Sequence, residues 1–199
     1  MVNKHRAFGE SIAKRMAADD GPLFQCRQCG KCCSSLRSSA SIGPYEFGLA
    51  LLPFEKNLFP SEDISPYEAM RLKGTKPRGI FSYQLKKEIC PKLNNSNCTI
   101  YTSRPLACRK YPINYLMVTE KGGIRISVDT VSCPEAQPNN TFPAEMIAAA
   151  AEDLSRSNSA WSKAGIMYDL KSESWVPAKK VRDLQQTLLD RLSITEQRK

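Results

Sequence analysis

The sequence predicts a small α+β fold in which short strands lie in an irregular, cysteine-dense middle with helices on either side. Three observations lead to it. Four of the eight cysteines fall within eight residues, Cys26-Arg27-Gln28-Cys29-Gly30-Lys31-Cys32-Cys33, and Cys90, Cys98, Cys108 and Cys133 are spread over the middle of the chain. Strand-like runs bounded by Gly, Pro and Asn lie between residues 80 and 128. Apolar residues at three- and four-residue steps mark both ends. With 41% hydrophobic and 25% charged residues, 199 residues suffice to bury a core without crosslinks, and disorder is not expected.

Taken in order, residues 3–18 put Ala7, Phe8, Ile12, Ala13 and Met16 on one helical face before Asp19-Asp20-Gly21-Pro22 breaks it. His5, the one histidine, reads as a surface residue of this helix. Beyond the cysteine run and a Ser-rich stretch, Pro44 suits a first helical turn, so a short helix is expected over 44–52, stopped at Pro53. One or two more helical turns are expected over 67–72. Residues 73–79 read as a basic loop and 80–85 as a strand. Asn94, Asn95 and Asn97 favour a knuckle-like turn before Cys98, and 99–101 a short strand. A hairpin is expected from 114–120 and 124–128 around a Lys121-Gly122-Gly123 turn, delivering Cys133-Pro134. Helices are expected over 142–155, with Glu145 in the first turn, and over 177–194, with Val181, Leu184, Leu188 and Leu192 in step. This divides the chain into a cysteine-cluster domain, 1–140, and a helical C-terminal extension, 141–199, packing on it.

Eight cysteines allow disulfides or metal ligation. Disulfide scaffolds are short secreted chains, whereas residues 1–20 are charged and lack an apolar signal core. No window long enough to cross a bilayer is free of charges either. A cytoplasmic protein with reduced thiols is therefore expected, and metal ligation is favoured. All eight cysteines, Cys26, Cys29, Cys32, Cys33, Cys90, Cys98, Cys108 and Cys133, are candidate ligands, because closely spaced thiolates in a tight loop can face one point. C-x-x-C-x-x-C with a remote Cys-Pro follows the bacterial ferredoxin pattern, and Cys90 and Cys133 both precede proline. An iron–sulfur cluster, 4Fe–4S in type, is preferred. Zinc in two tetrahedral all-cysteine sites is the alternative, although Cys90, Cys98 and Cys108 lack close C-x-x-C pairing. If the backbone at Cys32-Cys33 is extended, the two thiols point to opposite sides. One centre would then use Cys26, Cys29, Cys32 and a distant cysteine, and Cys33 would join the remaining three as a second site or as buried thiols.

The net charge of +9 is local. Between Arg71 and Lys110 ten Lys or Arg residues face the single acid Glu88, and the remainder of the chain balances. Such a stretch can meet nucleic acid, an acidic partner or an anionic substrate, or be a solvated face. Within it, Arg104 and Arg109 lie beside the thiolates, where cations would offset the negative charge of a thiolate-bound centre. Tyr101 and Tyr111 read as core aromatics with hydrogen-bonded hydroxyls. The chain has no Gly-rich phosphate loop and no G-x-S-x-G elbow, and one histidine argues against a His-based dyad.

Several of these residues together resemble a known family. Cys26, Cys29, Gly30, Cys32 and Cys33, then Cys90-Pro91, Cys98-Thr99-Ile100-Tyr101, Arg104-Pro105, Cys108-Arg109 and Tyr111-Pro112, match in order the cysteine-cluster proteins named for their CxxCxxCC motif, which are described as zinc- or iron-chelating domains. The resemblance runs from Phe24 to Pro112 and onward toward Cys133. It implies metal binding through cysteine. A similar cluster occurs in the longer flagellin lysine N-methylases, but residues 141–199 carry no nucleotide-binding fingerprint. Three functions follow as expectations: an iron–sulfur protein for electron transfer or assembly with a protein partner, a structural zinc module docking a protein or nucleic acid, and a metal-dependent enzyme with protein-modifying, methylase-like activity.

Overall fold

The computed structural model describes residues 4–16, 21–37, 42–119, 123–161 and 163–196. The fold is α+β, and the chain divides into two compact units, each built from two separate stretches. Met1–Ser35 and Ile89–Ser159 form one, called here the cysteine unit; Leu36–Glu88 and Ala160–Lys199 form the other, the sheet unit. This grouping differs from the linear division at residue 140. Residues 141–159 cluster with the cysteines, and residues 36–88 cluster with the C-terminal part of the chain. Helices and strands are numbered below in chain order.

In the cysteine unit, α1 (Lys4–Met16) and α3 (Ala144–Trp161) enclose a core of Ile12, Ala13, Phe24, Ile113, Leu116, Phe142, Met146 and Ile147 with three further buried alanines. The two helices approach closely because Gly9 lies against the Ala148 carbonyl, where any Cβ would collide with it. His5 belongs to this contact. Its Nδ1 lies 2.9 Å from Ser155 Oγ, so the ring is half-buried between helices instead of on the open surface. The expected hairpin is present as β6 (Ile113–Val118) and β7 (Ile124–Val128), paired antiparallel. Lys121 and Gly122 of its turn lie outside the described residues. The remaining elements are short: β4 (Leu93–Asn94), β5 (Asn97–Cys98) and α2 (Leu106–Lys110). The strand expected at 99–101 is replaced by this two-residue ladder and a 3-10 turn at Tyr101–Ser103.

The sheet unit holds five antiparallel strands in the order β1 (Leu49–Leu51), β3 (Lys76–Leu85), β2 (Ile64–Lys73), β8 (Ile166–Asp169), β9 (Ser174–Pro177), followed by α4 (Ala178–Glu196). Neither short helix expected here forms: within 44–52 only Leu49–Leu51 is a strand, and 67–72 lies inside β2. At 44–52 the apolar run pairs Leu49 with Leu85 and Leu51 with Tyr83; short apolar runs do not distinguish helix from buried strand by periodicity. At 67–72 the residues Tyr-Glu-Ala-Met-Arg-Leu favour helix, yet β2 hydrogen-bonds to β3 on one side and β8 on the other, and these ladders override propensity. The expected loop at 73–79 shrinks to a Gly74-Thr75 turn, with Gly74 in the left-handed region (φ 64°). Two buried polar residues organise the sheet. Gln84 donates from Nε2 to the Pro66 and Tyr168 carbonyls, and its Oε1 accepts the Gly48 N–H, each at 2.8 Å. Asp169 accepts the backbone N–H groups of Glu46, Lys171 and Ser172 and the Ser172 hydroxyl. Leu188 and Leu192 of α4 lie outside the residues whose side chains are described.

Candidate metal centre

All eight cysteines belong to the cysteine unit, and all are free thiols. Backbone contacts bring their loops together. The chain enters the C-x-x-C-x-x-C-C run from a short parallel bridge, in which Phe24 N–H donates to the Thr141 carbonyl at 2.8 Å and Phe24 stacks on Phe142. Gly30 then reverses the chain with φ 75° and leads into a 3-10 turn at Lys31–Cys33. Its lack of a side chain is doubly required, since a Cβ there would press on Leu93 Cδ1 and Ser96 Cα of the β4–β5 turn at 3.2 Å. Because Cys32-Cys33 lies in a turn, the two thiols are not on opposite sides. Their Sγ atoms are 4.0 Å apart.

Cys90 is tied directly to this turn, its N–H donating to the Cys33 carbonyl at 2.8 Å. The β4–β5 ladder then sets Cys98 opposite Leu93, whose own N–H bonds to the Cys90 carbonyl. Cys108 is placed by α2, which begins after Pro105. Cys133 follows a loop organised by Asp129, whose Oδ1 accepts the Val131 and Ser132 N–H groups while Oδ2 accepts the Tyr111 hydroxyl at 3.1 Å. Sequence reasoning passed over Asp129; its signal was the Asp-Thr-Val-Ser order, which suits a side-chain-to-backbone turn. It also passed over the ion pair between Arg27 and Glu135 at 3.1 Å, which links the first cysteine loop to the loop after Cys133.

Seven of the thiols, all but Cys26, are linked by mutual electrostatic effects. Cys32 is pushed up by its contact with Cys33, then by burial and by the Cys33 charge. Burial, followed by the charges of Cys90 and Cys32, pushes Cys108 up to about 12. Cys90 and Cys133 are raised by burial first, with Cys32 acting on both and Cys29 on Cys133. Burial and then the Asp129 carboxylate raise the Tyr111 hydroxyl, keeping it a proton donor. Arg104 opposes the trend, favouring the thiolates of Cys32 and Cys108. Its guanidinium lies over the Tyr101 ring at 3.8 Å and its Nε donates to the Tyr101 carbonyl at 3.0 Å. Among the described residues no three His, Cys, Asp or Glu side chains stand in metal-holding geometry. The donor set nevertheless fits a thiophilic metal. Thiols that resist ionisation because of burial, for Cys32 after its contact with Cys33, and secondarily because of one another's charge, are relieved when a bound cation replaces their protons.

A family model named CxxCxxCC and described as "putative zinc- or iron-chelating domain" matches residues 25–134, more than half of the chain. The chain belongs to this family. Its metal binding is through cysteine, and the matched span contains all eight cysteines. The span also runs through β1, β2 and β3 of the sheet unit, whose sheet is completed by β8 and β9 from beyond it. No curated protein and no solved structure matches the chain.

Next to Cys26 a cleft of about 520 Å³ opens, lined among others by Phe24, Tyr101, Arg104, Arg109 and Tyr111. The two arginines expected beside the thiolates thus stand differently. Arg104 acts on Cys32 and Cys108, whereas Arg109 is an exposed wall of the cleft. Among the described residues no helix is long and apolar enough to cross a membrane.

Proposed function

We propose that this protein holds a 4Fe–4S cluster through Cys26, Cys29, Cys32 and Cys133, and a second thiolate centre through Cys33, Cys90, Cys98 and Cys108. The observation that carries the first set is the Arg27–Glu135 ion pair, which ties the interval between Cys26 and Cys29 to the residue two past Cys133. The second set is supported by the Cys90 N–H bonded to the Cys33 carbonyl and by the charges that Cys90 and Cys98 exert on Cys108; Cys32, whose Sγ is 4.0 Å from that of Cys33 and whose charge also acts on Cys90 and Cys108, lies where the two sets meet. An iron–sulfur cluster supplies one-electron redox chemistry when bound. The chain's own part is to hold the thiolates, to offset their charge with Arg104, and to keep Cys26 and Cys29 exposed, where a partner protein can approach. A reducing, cytoplasmic setting suits eight free thiols. Zinc in the same two quartets is the alternative.

Anaerobic purification followed by iron, sulfide and zinc analysis tests this. Iron and sulfide in stoichiometric amounts with broad visible absorption are expected, and Cys29→Ser is expected to abolish that absorption. Colourless protein with stoichiometric zinc, or a Cys29→Ser protein with unchanged iron, would overturn the assignment.

A second reading, metal-dependent chemistry on an anionic substrate, is supported by the cleft beside Cys26, where Arg104 and Arg109 give a carboxylate or phosphate two cationic contacts. Benzoate and phenyl phosphate are expected to perturb the visible spectrum of the loaded protein, and less so in Arg109→Gln. A spectrum indifferent to both anions would remove this reading.

A further inference from the structure

The ten cations between Arg71 and Lys110 are divided between the two units. In the cysteine unit Lys110 is already paired, with Asp153 at 2.8 Å. In the sheet unit four cations gather at the far end of the β2–β3 hairpin. Arg71 stands directly opposite Arg78, and Lys73 directly opposite Lys76 across the Gly74-Thr75 turn. Opposed residues of an antiparallel pair project to the same face, as do residues two apart on one strand. All four side chains therefore leave the same face of the ribbon, and all four residues are exposed.

Like charges placed directly opposite destabilise a ladder. A merely solvated hairpin would interleave acids, but the turn end has none between Ala69 and Leu85. Among the described residues none of the four cations has a carboxylate partner. Glu68, lower in the hairpin, accepts the Ser82 hydroxyl at 2.6 Å. The opposite face carries Met70 and Leu72, 46% and 42% exposed.

The geometry points to the tip of this hairpin as a ribbon that binds duplex nucleic acid through its phosphates. A two-stranded antiparallel ribbon fits a duplex groove, and cations i and i+2 on two strands present a compact array to successive phosphates. Residues 70–80 contain no aromatic ring on which unpaired bases could stack, which disfavours a single strand. A membrane surface fits less well, because Met70 and Leu72 project away from the cations and inserting them would lift all four off the headgroups. The inference is independent of the metal assignment, since the ribbon belongs to the unit without cysteines.

The test uses full-length, metal-loaded protein and fluorescence anisotropy with labelled DNA and RNA duplexes of about 20 base pairs, enough for one or two helical turns. Vesicles containing phosphatidylserine serve as the competing surface. Four phosphate contacts are expected to give a log–log salt slope of about −3 to −4, so that affinity falls roughly 10²-fold between about 50 and 200 mM salt. Replacing Arg71, Lys73, Lys76 and Arg78 together by Gln is expected to weaken binding at least about tenfold and flatten the slope. The melting temperature of that variant should hold or rise, because two like-charge oppositions are relieved. Replacing Lys163, Lys171, Lys179 and Lys180 by Gln removes equal charge from the same unit and is expected to leave binding within about threefold. Equal losses in the two variants, unchanged binding in the hairpin variant, or capture by vesicles without capture by duplex would each overturn the proposal.

Discussion

The cysteine unit contains every cysteine of the chain and, around them, only a two-residue ladder, single turns and a five-residue helix. The sheet unit contains none, and holds five strands by ladder hydrogen bonds, a packed cluster around Phe47, Met167 and Val181, and two buried polar hubs, Gln84 and Asp169. The cysteine unit does have a core, but it lies between α1, α3 and β6–β7; the loops bearing Cys26 to Cys33 and Cys90 to Cys108 are fixed by isolated backbone bonds. Where regular ladders are missing, ligand bonds can replace them, and in small metal-binding domains the metal's binding free energy is folding free energy. The proposed metal centre would thus give the cysteine unit the order that the sheet unit draws from its ladders.

Removal of the metal is expected to have the largest effect. Structural zinc contributes on the order of 10 kcal/mol to small domains, so chelation is expected to abolish amide-exchange protection over residues 89–110 while β2, β3 and β8 keep theirs. Equal loss in both units would show that the sheet depends on the metal as well. Next in size is Gln84→Leu, which leaves two carbonyls and one N–H of the sheet unit without their partner at about 1–3 kcal/mol each. Thermal unfolding of the sheet unit should shift down strongly with metal content unchanged.

Gly30→Ala acts on the other side. A non-glycine residue at φ 75° costs about 1–2 kcal/mol, and the added methyl meets Leu93 and Ser96. Metal retention against a competing chelator is expected to weaken about tenfold, with protection of the sheet unit intact. The smallest effect at neutral pH concerns Asp169. Burial alone would raise its carboxyl, but the N–H of Glu46, the Ser172 hydroxyl and the further backbone N–H groups outweigh it and hold it below its ordinary 3.8. The unfolded chain therefore takes up this proton more readily. The associated stability is complete above pH 3.8 and is lost as pH falls below that value toward the depressed folded one. Denaturant midpoints of the sheet unit should drop in that acid range, and Asp169→Asn should flatten the drop.

Legibility followed the range of the interactions. The α1, α3 and α4 helices and the β6–β7 hairpin were readable because their apolar periods are local. Residues 44–52 and 67–72 favour helix locally because Pro44 suits a first turn and Tyr-Glu-Ala-Met-Arg-Leu favours one. Their strand character comes from partners up to about a hundred residues away, as in Glu68 opposite Met167. The β8–β9 hairpin was missed for the same reason, being a short piece of a sheet whose other strands lie in 49–85. At the metal centre the eight cysteines are legible from spacing and the Asp129 turn has its signal in the local Asp-Thr-Val-Ser order, whereas the Arg27–Glu135 link is not legible, since a salt bridge across more than a hundred residues leaves no spacing to read.

What the sequence by itself determined is the chemistry: thiolate ligation, family membership and a local excess of positive charge, all properties of residue type and near spacing. The tertiary structure decided the allocation. It joined residues 1–35 to 89–159 and 36–88 to 160–199, placed all eight thiols in one unit, and divided the basic stretch between two. The physical reason is that strand pairing and core burial act between segments distant in sequence, so the order of motifs along the chain does not state which of them share a core.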